Sequence, residues 1–321
     1  MNYHYIFFRL KGSYHGSVVQ YDVKKDYWGK PKTVKEVEID NNSNPTGFLY
    51  KPPGAASEKL YMVLRDYRYV RANRIWLVDI SSSKYLETNF TSESTIVPFK
   101  KIDQPNNVYF LYQNSLGALN VAAIRRDSDN ELGLNFGSLS TLDTALKEYK
   151  IVGYPSMVSL DNVTDNIALT FYVNSHNKLA SFHIDFNRMK VTDQRNYNGI
   201  KVIGSPSLIY NAQRSKYTVF YRGEYDELRY ATFYENGHFF TDGRLVNNRT
   251  KVLSSPSVIY DKSGATVYFI GSGEKMWMYK IDMAGNSPSI MSYKDNLVSG
   301  SVSNENGNAP FAIASSTHIP F

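Results

Sequence analysis

The sequence predicts an all-β chain folded as a six-bladed β-propeller of four-stranded antiparallel blades, closed by a C-terminal strand that completes the N-terminal blade. Three observations predict it. Proline recurs at Pro45, Pro98, Pro155, Pro206, Pro256 and Pro310, a spacing near the ~40–50 residues of blade-type repeats. Three of these prolines sit in near-copies of one phrase: Val152-Gly-Tyr-Pro-Ser-Met157, Ile203-Gly-Ser-Pro-Ser-Leu208 and Leu253-Ser-Ser-Pro-Ser-Val258. After each phrase come short runs of β-branched and aromatic residues bounded by Gly, Asn, Asp and Ser, which are strand and turn signals.

Taken in order, residues 5–10 and 17–23 read as the second and third strands of a blade that lacks its opening strand. The same pair recurs at 60–64 and 75–80, and again at 108–112 and 118–124. Three complete sets follow: 157–159, 168–173 and 179–184; 207–210, 217–221 and 228–233; 257–260, 266–270 and 276–281. Asp261-Lys-Ser-Gly264 is a hairpin turn with glycine where a positive φ is wanted. Residues 308–314 form an opening strand with no followers, so head and tail together complete one blade. Closure of that kind removes two sheet edges that invite aggregation. Fourth strands are less regular, with 35–39 and 238–240 as candidates, and only 141–149 has a helix-like pattern. One domain spanning 1–321 follows, because a ring whose units pack only on their neighbours escapes the size limit of a single core.

Hydrophobic residues at 42% and aromatics at 14% exclude intrinsic disorder. The 26 Tyr and 17 Phe against 3 Trp suit half-buried strands, and tyrosine also suits ligand surfaces. Cysteine is absent, which excludes disulfides, thiolate nucleophiles and cysteine metal sites. None of the six histidines has metal-ligand spacing and no glycine-rich phosphate loop occurs, so no metal or cofactor is expected. No run approaches the ~18 apolar residues of a membrane span, and the first ten residues read as a strand rather than a signal peptide. The expectation is a cytoplasmic protein, or one released without a signal peptide. A net charge of +6 is modest for 321 residues and does not point to specific nucleic-acid binding.

In an up-and-down blade the loop between strands two and three shares a face with the link into the next blade. Loops 11–16, 66–73, 113–117, 174–178, 223–227 and 271–275 therefore crown one face, where binding is expected. Arg65-Asp-Tyr-Arg-Tyr-Val-Arg-Ala-Asn-Arg74 interleaves arginine with tyrosine in one such loop. Arg68, Tyr69, Arg71 and Arg74 are candidate ligand residues there, since guanidinium forks suit carboxylate, sulfate or phosphate and rings stack on sugars. A solvated hairpin tip is the competing reading. The aligned position on the third strands holds Val19, Trp76, Asn120, Ala180, Arg229 and Trp277. Arg229, with Tyr221, Arg222 and Tyr230, makes a second candidate set lining a groove between blades. Simple alternation of buried and exposed faces also accounts for such a set.

Phrases such as Val219-Phe-Tyr-Arg-Gly and Val267-Tyr-Phe-Ile-Gly-Ser-Gly resemble the six-bladed fucose-binding propeller lectins of fungi and bacteria, and the related bacterial lectins with a Val-Phe-x-Arg-Gly phrase in each blade. The resemblance implies a ring with sugar sites. In the fucose lectins each site uses an arginine, a glutamate and a tryptophan. Here Thr266, Tyr217 and Ile167 stand in the arginine place, and Met278, Tyr230 and Ser181 in the glutamate place, so that triad does not carry over. The blades are also similar to those of furanosidase-type hydrolases, which place an acid beside the proline. Tyr154, Ser205 and Ser255 occupy those places, and no pair of carboxyls at the roughly 5–9.5 Å of a glycosidase is in view. No catalytic residue is therefore expected. The resulting expectation is a non-catalytic propeller that binds a carbohydrate or glycoconjugate, acidic ones included, through pockets of Tyr, Arg and Asn. The alternatives are a glycan-active or small-molecule enzyme with an axial pocket, and a protein-interaction platform.

Overall fold

The structure, a computed structural model, describes residues 2–35, 37–39, 44–52, 54–66, 74–92, 95–101, 104–114, 118–126, 132, 134–143, 151–158, 166–245, 250–261, 264–303 and 309–321. Blade one holds β1 (Tyr3–Arg9), β2 (Gly16–Asp22) and a broken outer strand, β3 (Tyr27–Trp28) and β4 (Lys32–Thr33), both paired to β2. Blade two is β5 (Thr46–Tyr50), β6 (Lys59–Arg65), β7 (Arg74–Asp79) and β8 (Tyr85–Thr91). Blade three is β9 (Val97–Lys101), β10 (Gln104–Gln113), β11 (Leu119–Arg126) and β12 (Leu134–Asp143). Blade four is β13 (Val152–Ser156), β14 (Ile167–Val173), β15 (Lys178–Asp185) and β16 (Lys190–Lys201). Blade five is β17 (Ile203–Asn211), β18 (Lys216–Arg222), β19 (Leu228–Tyr234) and β20 (Phe239–Arg244). Blade six is β21 (Ser257–Asp261), β22 (Gly264–Gly271), β23 (Lys275–Asp282) and β24 (Ser289–Lys294). The last strand, β25 (Phe311–Ser315), returns to blade one and pairs antiparallel with β1, from Tyr3 opposite Ser315 to Phe7 opposite Phe311.

The strand period of two sends alternate side chains to opposite neighbours. On β18, Tyr217, Val219 and Tyr221 pack toward blade four, while Phe220 packs toward blade six. The same alternation in every blade makes six apolar clusters, each drawn from two successive blades. The cluster of Ile6, Phe8, Val19 and Tyr21 with Ile259, Tyr268 and Met278 joins the first blade to the sixth and closes the ring.

The proline phrase now has a physical reason. Each first strand is an edge of its sheet, so half of its backbone groups lack a ladder partner. Serine hydroxyls supply it from the adjacent blade. Ser156 Oγ accepts the Leu208 N–H at 2.9 Å, Ser207 Oγ that of Val258 at 3.0 Å and Ser257 Oγ that of Ala312 at 2.9 Å. In the other direction, Ser205 Oγ accepts the Tyr154 N–H at 3.0 Å and Ser255 Oγ the Ser205 N–H at 2.7 Å. Gly204 holds φ +80° and a Cβ there would collide with Ser255 Oγ, which is why glycine precedes the serine.

Arginines stitch the blades at the end where the proline phrases begin, with Arg222 opposite Ile203. Arg9, Arg65 and Arg222 occupy one repeat position at the end of their second strands. They donate to Ser303 Oγ at 2.9 Å, Ser92 O at 3.3 Å and Leu253 O at 2.9 Å; Ser92 and Leu253 lie on the link into the next blade, and Ser303 on the link from blade six to β25.

Several expectations are corrected. Of the expected strand 35–39, the described residues 35 and 37–39 form none: Ile39 makes one isolated bridge to Asp66, and blade one uses β3 and β4 instead. Residues 141–143 end β12 rather than begin a helix, and 144–149 lie outside the described residues. The opening strand of blade four is Val152–Ser156, and Met157 and Val158 of the expected 157–159 lie beyond it, because the proline phrase is itself the strand. In blade one the residue equivalent to Arg229 is Ser17, opposite Phe8, and not Val19, opposite Ile6.

Candidate functional site

The loop joining β18 to β19 stands between two open inter-blade pockets and is held by its own backbone and side chains. Gly223 N donates to Glu227 O at 2.9 Å and Asp226 N to Gly223 O at 3.2 Å. Asp226 takes φ +58°, which aspartate tolerates in a turn. A Cβ on Gly223 would press on Glu227 and on Arg229, so glycine here permits the close approach of those two groups. Tyr225, at the tip and 82% exposed, lines both pockets.

The pocket between blades four and five has a volume near 180 Å³ and is lined by Ile200, Lys201, Tyr221, Glu224, Glu227, Arg229 and Asp242 among others. Arg229 is its centre. Its Nε donates to the Tyr221 hydroxyl at 3.3 Å, Nη1 to Glu227 Oε1 at 3.3 Å and Nη2 to Asp242 Oδ2 at 3.4 Å. Glu227 also accepts the Tyr225 N–H at 2.8 Å, so its carboxylate is doubly anchored. Burial pushes the Tyr221 hydroxyl above its ordinary pKa, so it keeps a proton to donate. Lys201 pairs with Glu224 at the rim. A fork of donors, flanked by two carboxylates and a phenol in a pocket that an exposed ring also lines, can exchange its long internal bonds for the hydroxyls of a polyol.

Of the eight candidates from the sequence, Tyr221 and Arg229 are brought together: they are cross-strand partners on one face. Arg222 and Tyr230 are not part of that pocket. Alternation turns both to the blade-six side, where Tyr230 joins the apolar cluster of Phe220, Leu228 and Trp277. Arg222 is a structural clamp there, bound to Asp226 Oδ1 through Nε at 3.0 Å and Nη2 at 2.6 Å as well as to Leu253 O. Arg74 belongs to blade two and gives Nη1 to Glu87 Oε1 at 2.5 Å. Arg68, Tyr69 and Arg71 lie outside the described residues. Sequence reasoning missed Glu227 and Asp242. The first was readable two residues before Arg229 across a turn; the second sits on an outer strand with little pattern.

No protein-family model matches the chain, and no curated protein matches its sequence. Solved structures do match in fold. The six-bladed fucose-recognising lectin of the fungus Aleuria aurantia is 13% identical over 91% of this chain and 95% of that one, with a TM-score of 0.53. AofleA from Arthrobotrys oligospora is 7% identical over 89% and 84%, at 0.54. The periplasmic gluconolactonase PpgL of Pseudomonas aeruginosa is 11% identical over 91% and 83%, at 0.50. At such identities the likeness is one of ring architecture, and it is shared by a lectin and a gluconolactonase alike.

Proposed function

We propose that this ring is a non-catalytic, lectin-like propeller and that its ligand site is the pocket between blades four and five. The observation that carries the reading is Arg229. It is a partly exposed guanidinium whose three internal bonds are all long, placed with two carboxylates in a pocket that the exposed Tyr225 also lines. A sugar hydroxyl pair can accept from the fork while donating to Asp242 or Glu227, and Tyr225 offers a face for the sugar's C–H surface. The volume near 180 Å³ is below the ~300–1,000 Å³ of pockets for drug-sized molecules, which favours one ring over a chain. The fold shared with a fucose-recognising lectin adds support at the level of architecture.

The test is calorimetric titration of neutral monosaccharide glycosides, chosen from a glycan array, into wild-type protein, Arg229→Lys and Tyr225→Ala. Losing the planar fork or the stacking ring is expected to weaken binding about tenfold or more, since a hydrogen bond to a charged group contributes roughly 1.5–3 kcal/mol. Melting temperatures should stay unchanged for Tyr225→Ala. A ligand that binds both variants as tightly as the wild type would remove the reading.

A further inference from the structure

The pocket on the other side of the same loop, between blades five and six, has a volume near 310 Å³. Its charge balance differs. Two carboxylates line it, and both are already neutralised: Asp226 by the Arg222 fork at 2.6 and 3.0 Å, Glu227 by Arg229 from the far side and by the Tyr225 N–H. Two cations line it with little opposition. Arg244 is exposed and has no ion pair or hydrogen bond among the described residues. Lys251, 71% exposed, only reaches Asp226 Oδ2 at 4.0 Å.

Two of the remaining polar groups are free to donate, whereas the Thr250 hydroxyl already gives its proton to Lys251 O at 3.1 Å. Ser272 Oγ accepts the Lys251 N–H at 3.1 Å, which leaves its own proton free. The buried Tyr279 hydroxyl has no hydrogen-bond partner among the described residues, and burial pushes its pKa up to about 12, so it stays protonated. Behind them the Trp277 indole, 6% exposed, has an Nε1–H without a partner. It closes with Thr250 Oγ1 on a single point above Gly271. A concavity that combines two cations with spare O–H donors, and whose acids are compensated, is complementary to an acceptor-rich anion.

We propose that this second pocket is an anion subsite that takes the carboxylate or the sulfate of an acidic sugar, held by Arg244 and Lys251 with Ser272 and Tyr279 as neutral donors. The assignment rests on the carbohydrate reading above and extends it: neutral hydroxyls on one side of Tyr225, a negative group on the other. Charge-assisted bonds at a partly enclosed site discriminate an anionic sugar from its neutral parent, and the discrimination weakens as salt screens the cations.

The experiment titrates three probes into the full chain at roughly 0.01 M and about 0.15 M ionic strength: a neutral hexoside, the matching uronic acid glycoside and the matching sulfated hexoside. Inorganic sulfate serves as competitor. The wild type is expected to prefer the charged probes by about tenfold at low salt. Arg244→Gln/Lys251→Gln, both exposed side chains, should lose that preference and keep neutral binding and melting temperature, while Lys251→Glu reverses it. Comparing the uronic and sulfated probes says which anion fits. A preference that survives in the double variant, or its absence from the wild type, overturns the anion subsite while the neutral site stands. Anion binding that depends on Arg244 and Lys251 without any neutral binding overturns the neutral site and keeps this one. Inorganic sulfate binding as tightly as the sulfated hexoside overturns the sugar assignment.

Discussion

Ring closure places a histidine where acid can reach its charge but not its solvent. His4 on β1 is 1% exposed, faces blade six and shares a 2.6 Å hydrogen bond between Nδ1 and the Tyr268 hydroxyl. The rings of Tyr21 and Tyr268 lie edge-on at 5.9 and 6.0 Å. Burial lowers its pKa from 6.5 to about 4; Asp261 opposes that shift and Lys280 adds to it. The unfolded chain therefore takes up a proton near pH 6.5 that the folded ring refuses until about pH 4. Above that window both states are neutral and His4 contributes no slope. Within it the unfolded state binds more protons, so stability falls as pH falls, by about 1.4 kcal/mol per pH unit. The total by pH 4 is roughly 3 kcal/mol. Asp26, Asp79 and Asp193 have lowered pKa values, and their contribution is lost only below their unfolded value of 3.8, outside this window.

Denaturant unfolding of the wild type and of His4→Asn, across about pH 4.5 to 7.5, isolates the effect. Asparagine keeps a polar partner for Tyr268 and removes the titration. The wild type should lose close to 2 kcal/mol between neutral pH and pH 5, and the variant should lack that component whatever its absolute stability. Equal slopes for the two proteins would refute the argument, and with it the placing of His4 in a dry seam between the first and sixth blades.

Removing residues 309–321 takes away β25, its ladder to β1 and the Ile319 N–H bond to the Tyr5 hydroxyl at 2.8 Å. The loss should exceed about 4 kcal/mol, beyond ordinary single-site effects, and appear as a lower melting temperature with aggregation from the bared edge. Ser255→Ala orphans the buried Ser205 N–H and should cost about 1–3 kcal/mol by denaturant unfolding. Arg222→Ala should lower stability by roughly 1.5–3 kcal/mol, since its fork holds Asp226 and Leu253 O, yet leave Arg229 in place.

The inner strands were legible because three demands coincide there. A proline ends the link, a serine must reach the next blade, and β18 or β22 must alternate between two apolar neighbours. The outer strands answer to fewer constraints. β16 is largely solvated, and in blades two to six the ladder to the fourth strand carries a register shift, so neither period nor spacing survives. That is why 35–39 looked like a strand and why Asp242 and Arg244 escaped notice. At the site, residue types were visible but their faces were not. Tyr221 and Arg222 are neighbours in sequence, and the pleat sends one to the pocket beside blade four and the other to the clamp on blade six.

That one-residue parity also decides how many sites the ring offers. The second-strand arginines, Arg9, Arg65 and Arg222, all clamp inter-blade links, so their recurrence is architectural. The third-strand position opposite Tyr221 is the one whose side chain faces the inter-blade pocket, and the register there reads Ser17, Trp76, Asn120, Ala180, Arg229 and Trp277. A guanidinium fork occurs there in blade five alone. The remaining blades present hydroxyl, amide, methyl or indole groups, and none of these can supply two parallel charge-assisted donors to adjacent hydroxyls. A neutral monosaccharide should thus titrate with a stoichiometry near one per chain. A value near six would mean that the sugar is read by features common to every blade, and Arg229 would lose its claim to be the recognition group.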